Sequence, residues 1–249
     1  MNSHITIPRS VLDEFANDKK WLFKYEVENY RISRGFPKTT YTEEGYYSEI
    51  IEKALNRHVE TPLKTLIDYA KQLPDESVYV LDENIIEIAK LYVKSLFARS
   101  PILCQNVINE SMLLQFADTT SQEQHDIVVD YAMSNTNIDR INQEYDYTFM
   151  VNLTQTPFVI PTRGMYEFAI NSVQCINVPI TPWCTVLMKQ KGKSLLGEDA
   201  NVSTAVIVPT RLDDIVMRMN LFALEKQKRD NIGYVICNER SILEQLTQK

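Results

Sequence analysis

Two polar residues of this chain stand where a helical period puts apolar side chains. Arg99 continues the line Ile85, Ile88, Tyr92 and Leu96, so its guanidinium falls on a stripe that faces a core. There it closes the last carbonyls of its helix and pairs with a carboxylate, or it grips an anion, because its fork matches phosphate and carboxylate. Asn220 lies on the stripe of Val216 and Ala223, and a buried amide must be satisfied. Either it hydrogen-bonds an edge or loop of a sheet, or it lines a pocket with Arg99.

A third concentration is the stretch FMVNLTQTPFVIPTRG, residues 149–164. It reads as two short strands joined by a polar TQTP, a hairpin with Asn152, Thr156, Thr162 and Arg163 around it. Asn152 interrupts an apolar strand, and alternation alone does not decide which way it points. His4 can reach the same region, although an isolated His near a terminus is more often a structural or surface residue.

Familiar catalytic signatures are missing. The chain has no Walker A loop, no G-x-G-x-x-G, no G-x-S-x-G and no HExxH, and six glycines leave little material for phosphate-cradling loops. The nearest acidic sets, Asp213 with Asp214 and Glu87 with Lys90, read as solvated helix faces. His58 and Glu60 are two apart on a helix and point different ways, so no metal site is expected. Cys104, Cys175, Cys184 and Cys237 lack a CxxC spacing and read as buried thiols. No catalytic residue or cofactor can be named on this basis.

With 249 residues, 44% hydrophobic and 24% charged, the chain can bury a large core and reads as one domain. A net charge of −7 argues against a generic grip on nucleic acid or an anionic membrane, so any nucleic-acid role must be local. No basic leader and no run of roughly 18 apolar residues is present, which makes the cytoplasm the expected compartment and a membrane an unexpected partner.

The elements that must position these residues are α+β. WLFKYEVENYRIS has strand content, with Trp21, Phe23, Tyr25 and Val27 alternating. A helical segment follows over 42–143: Thr42 caps a helix to about Val59, Thr61–Pro62 restarts it, and a third helix runs from Asp82 to ARSP. ILCQNVINESMLLQF is a further helix, and Ser121 with Gln124 makes a capping box for the next. Residues 145–249 form a mainly antiparallel sheet with helices, 192–203 being an exposed hairpin loop. Thr210 caps the long helix RLDDIVMRMNLFALEKQK, with Leu212, Ile215, Val216, Met219, Phe222 and Ala223 on its apolar side; IGYVICN is a strand.

HITIPRSVLDEF, WLFKYEVEN, YSEIIEKALNRHVETPL, LYVKSLFARSPI, VNLTQTPFVIPT, PITPWCTVLM and NLFALEKQKRDNIGYVIC, taken in order, resemble the bacterial domain-of-unknown-function 4238 family. The resemblance covers nearly the whole chain through short motifs. It points to His4, Pro8, Glu60, Arg99, Asn152, Thr156, Phe158, Pro179, Pro182 and Asn220. Where the family hairpin ends in a Ser-Asp-Asn-Pro type turn, this chain reads PTRG: if that acid carries chemistry in the family, this chain has lost it, and if the turn only shapes the sheet, nothing is lost. The resemblance implies a cytoplasmic bacterial protein, some relatives standing in a phage-defence context. Three functions follow: an effector or accessory that binds a nucleotide or nucleic acid through His4, Arg99, Asn220 and the sheet; a non-catalytic binding or scaffold module in which Glu60 and Arg99 form a buried ion pair and Asn220 ties helix to sheet; and, third, a nuclease-like hydrolase. The oligomeric state is left open.

Overall fold

The computed structural model of the chain describes residues 2–73, 82–100, 119–134, 143–170, 172–193, 207–230 and 233–248. Strand β1 (Asn2–His4) pairs antiparallel with β4 (Thr42–Glu44), and α1 (Arg9–Glu14) follows Pro8. The WLFKYEVENYRIS segment is two strands, β2 (Leu22–Glu26) and β3 (Arg31–Gly35), closed by a turn in which Tyr30 takes a φ of 52°.

Thr42 caps nothing, because it belongs to β4. The chain reverses at Gly45, whose φ of +69° suits a residue without Cβ, and the cap of α2 (Glu49–Leu55) is Ser48, which accepts the Ile51 N–H at 3.4 Å. Helix α3 (Thr61–Gln72) starts where Thr61–Pro62 suggests, with Pro62 in its first turn, but a π-turn over Asn56–Glu60 runs into it without a break, and the wider turn accommodates a proline that cannot donate a backbone hydrogen bond. Helix α4 (Glu83–Ala98) begins as expected at Asp82, whose carboxylate accepts the Asn84 N–H at 2.7 Å. The capping box of α5 (Ser121–Ser134) lies one residue earlier than the Ser121–Gln124 spacing suggests: Thr120 Oγ1 accepts the Glu123 N–H, and Glu123 accepts the Thr120 N–H at 2.7 Å. The helix expected over ILCQNVINESMLLQF lies outside the described residues.

The later strands are β5 (Tyr145–Asn152), β6 (Ile160–Pro161), β7 (Tyr166–Ile170), β8 (Val173–Thr181), β9 (Cys184–Gln190), β10 (Ile207–Thr210) and β11 (Tyr234–Cys237). They build a five-stranded sheet ordered β10-β5-β9-β8-β7, antiparallel except for β10 beside β5, and an antiparallel four-stranded sheet ordered β3-β2-β11-β6. Two expectations fall here. Residues 149–164 are not a hairpin, because β5 and β6 belong to different sheets and the polar TQTP carries the chain across. Nor do β9 and β10 pair, since they flank β5 on opposite sides; most of the 192–203 loop lies outside the described residues.

Period-2 alternation gives the larger sheet two apolar faces. Phe149, Val178, Ile180, Val186 and Met188 face the core shared with α1 to α4, whereas Phe168, Val173, Cys175 and Leu187 face the core shared with α6 (Asp213–Asp230) and α7 (Arg240–Thr247). Cys175, Cys184 and Cys237 are buried and unbridged; Cys104 lies outside the described residues. Burial pushes the Cys184 and Cys237 thiols up to about 12, so neither supplies a thiolate near neutrality.

Helix α6 is turned relative to expectation. Its buried positions are Val216, Met219, Asn220, Ala223, Leu224 and Gln227, while Leu212, Ile215 and Phe222 are exposed. Thr210 ends β10 instead of capping the helix, and its hydroxyl bonds to nothing. Strands from both chain ends around a helical middle make the fold α+β, and among the described residues no helix is long and apolar enough to cross a membrane.

Candidate functional site

Arg99 is the C-cap of α4, and its side chain is 1% exposed. Its Nε donates to the Ile5 carbonyl at 3.3 Å, Nη2 donates to the His4 carbonyl, and Nη1 lies 3.5 Å from Glu60 Oε1 in the π-turn. The Arg99 carbonyl in turn accepts the Thr6 hydroxyl at 3.3 Å. One guanidinium therefore straps the N-terminal strand to two helices, and with Nε and both Nη atoms engaged it presents no open fork to an anion.

Burial first, and then the charges of Arg99 and Arg9, push the His4 imidazole down from its ordinary 6.5 to about 4, against the opposing effect of a hydrogen bond to the Thr40 backbone. The neutral ring is the folded form. Between pH 6.5 and about 4 the unfolded chain takes up a proton that the folded chain refuses, so this stabilisation is complete above 6.5 and is lost as pH falls towards 4. Thermal melts across that window should show a shallower fall in Tm for His4→Asn than for the parent. Equal slopes would mean that the ring titrates alike in both states.

The other four candidates fasten the crossing segment. Asn152 Nδ2 donates to the Thr156 carbonyl at 2.7 Å, and its Oδ1 accepts the Thr154 N–H and hydroxyl at 3.0 and 2.7 Å. The Thr156 hydroxyl foremost, with the N–H groups of Thr156 and Gln155, holds the Asp213 carboxyl below the usual carboxylate range against the opposing effect of desolvation. Asn220, 0% exposed, accepts the Val159 N–H at 3.0 Å and donates to the Pro157 carbonyl at 2.9 Å. Thr162 exchanges hydrogen bonds with the Tyr234 backbone, and Arg163 reaches Asp230 at 3.1 Å. Gly233 permits the close approach of Thr162: a Cβ there would lie 2.2 Å from Thr162 Oγ1.

Asp213, Asn220 and Asp230 are the start, middle and end of α6, and they engage 154–156, 157–159 and 163 in that order. Between the bend at 154–156 and the turn at 162–163, where the Gly164 N–H donates to the Pro161 carbonyl at 2.8 Å, the chain follows α6. The polar residues of 149–164 thus secure an extended strap laid along a helix.

The structure therefore brings His4, Glu60 and Arg99 together in one fastening and assigns Asn152, Thr156, Thr162 and Asn220 to another. Neither is a basic pocket. A cleft of about 670 Å³ opens beside Asn152, with Glu14, Asp18, Glu239 and Trp183 in its lining. Its lining lysine, Lys71, is paired with Glu14 at 3.0 Å, so the cleft has the wrong charge for an anion. A second cleft of about 310 Å³ between β7 and α6 balances Glu167 and Glu225 against Lys226 and Arg229. Among the described residues no group of three or more His, Cys, Asp or Glu side chains is placed to hold a metal ion.

The open positive charge lies elsewhere. Residues 19–38 carry six basic and two acidic residues, a net of +4 in a chain of −7. Lys19, Lys20, Arg31, Arg34 and Lys38 are exposed, whereas Lys24 is spent on Glu26 at 3.5 Å. Glu26 also accepts from Ser33 at 2.9 Å and Asn29 at 3.3 Å, which occupies the better placed of the two acids. Strand β3 is an edge of its sheet, so its cations border solvent. The +4 window was present in the sequence, but the chain-wide sum conceals it and the aromatic alternation from Trp21 to Val27 draws attention to strand content instead.

No family model, curated protein or solved structure matches the chain. The resemblance to the domain-of-unknown-function 4238 family thus stands on its ordered motifs alone.

Proposed function

We propose that the protein is a cytoplasmic binding module without catalytic chemistry of its own, which grips a polyanion across the β2–β3 hairpin. The observation that carries this reading is the group of five exposed cations on and beside one edge hairpin, Arg31 and Arg34 in its edge strand and Lys19, Lys20 and Lys38 flanking it, in an otherwise acidic chain. A local field of one sign attracts a polyanion even where the net charge repels it, and the acidic remainder orients the encounter. Within a phage-defence setting, the role the resemblance implies, such a module holds nucleic acid and leaves cleavage to others.

Binding of fluorescent oligonucleotides and of fluorescent heparin, followed by anisotropy over a salt series, tests the proposal. Affinity should fall as salt rises, with a log–log slope of about −0.7 for each phosphate of a single strand that is neutralised. The double variant Arg31→Glu/Arg34→Glu should bind at least about tenfold more weakly and show a flatter slope. Both residues are exposed, so matched melting curves should confirm an intact fold. If no polyanion binds at low salt, or the double variant binds like the parent, the reading is wrong.

A further inference from the structure

Building on the polyanion reading, we infer that the ligand is a single-stranded nucleic acid whose unpaired bases stack on Tyr30 and Phe36. Tyr30 sits at the hairpin tip, 79% exposed, with a φ of 52°. A bulky side chain in left-handed backbone carries a conformational cost, and turns with positive φ favour Gly or Asn. Packing does not compensate here, because the ring projects into solvent. Backbone held in a costly conformation with its side chain presented outward is a feature of ligand contacts.

At the other end of β3, Phe36 is 56% exposed although its backbone is pinned. Its carbonyl accepts the Thr40 N–H at 2.9 Å, the Thr40 hydroxyl at 2.8 Å and the Thr39 N–H at 3.0 Å, and the following Pro37 keeps residue 36 extended. The ring is therefore presented in a fixed direction. Six extended steps separate the two rings, about 20 Å along the edge strand. Arg31 and Arg34 lie between them, one on each face of the edge strand, so the order along the edge is ring, cation, cation, ring with a cation on either side. Trp21 is not an equivalent platform, because Arg34 and Lys19 already cover it at 4.7 and 5.8 Å from the ring centroid.

Two rings flanking a pair of cations suit a strand whose phosphates and base faces are both accessible. A duplex hides its base faces by stacking, and heparin has none, so neither gains from the rings. This ordering of ligands separates base stacking from charge alone.

Anisotropy titrations should compare a 20-nucleotide oligo-dT, the matching dA·dT duplex and heparin at one salt concentration, using the parent, Tyr30→Ala, Phe36→Ala and Tyr30→Phe. Oligo-dT should bind more tightly than the duplex. Each alanine variant should lose between about fivefold and a hundredfold of oligo-dT affinity, with an unchanged salt slope and unchanged heparin binding, whereas Tyr30→Phe should retain it. In Tyr30→Trp, the indole fluorescence of position 30 should be quenched by oligo-dT and not by heparin. If all three ligands bind alike and the alanine variants match the parent, stacking is refuted while the polyanion reading survives. If none binds, both fall together.

Discussion

Arg99→Ala should lower the free energy of unfolding by about 3–5 kcal/mol, the cost of breaking a buried pair by removing one partner. Truncation leaves the His4 and Ile5 carbonyls without their donor and Glu60, 22% exposed, without its counter-charge. It also frees the link between the N-terminal strand and α4, so β1 should lose protection in hydrogen exchange before the five-stranded sheet does. Arg99→Lys should recover only part of the loss, because a single ammonium cannot reproduce the directions of Nε and both Nη groups. Urea titrations of the three proteins provide the measurement. A loss below about 1 kcal/mol for Arg99→Ala would return the residue to the class of surface pairs and reopen its use as an anion grip.

Asn220→Ala should cost about 2–4 kcal/mol, because it strands the Val159 N–H and the Pro157 carbonyl, two backbone groups held by one amide at 0% exposure. Asn220→Asp separates the two bonds. It keeps an acceptor for Val159 but sets a carboxylate oxygen against the Pro157 carbonyl, so it too should destabilise. Chemical denaturation with limited proteolysis would check both the magnitude and the place, with cleavage expected first between residues 153 and 159. A variant that melts like the parent would mean that the strap is held without Asn220. Oligonucleotide affinity of the folded fraction should be unchanged in either variant, since the fastening and the basic hairpin use different residues.

The suspicious helical positions were legible for one reason: a 3.6-residue period states which side of a helix faces a core before any partner is known. Arg99 and Asn220 both prove buried where that period placed them, at 2% and 0% exposure. The period fixed the stripe of α6 less well, because Leu212, Ile215 and Phe222 are apolar and yet face solvent. Helix starts were misplaced by local competition. Thr42 was taken by a strand, and the capping box moved to Thr120–Glu123 because that pair satisfies two terminal N–H groups at once, whereas Thr61–Pro62 does open α3, with a π-turn leading into it unbroken.

The stretch 149–164 shows the limit most clearly. Two apolar runs separated by four polar residues look alike whether the strands pair with each other or with partners far along the chain, since strand pairing is a contact between segments and leaves no local mark. Only the tertiary structure decided that β5 joins β9 and β10 while β6 joins β11, and hence that Asn152, Thr156, Thr162 and Asn220 secure a strap along α6. Composition and periodicity by themselves determined the α+β class, the buried thiols and the burial of two polar side chains, because each depends on residues close in sequence. Which groups those side chains meet, and which cations stay open on the edge hairpin, depends on segments brought together from distant parts of the chain; their positions follow from packing.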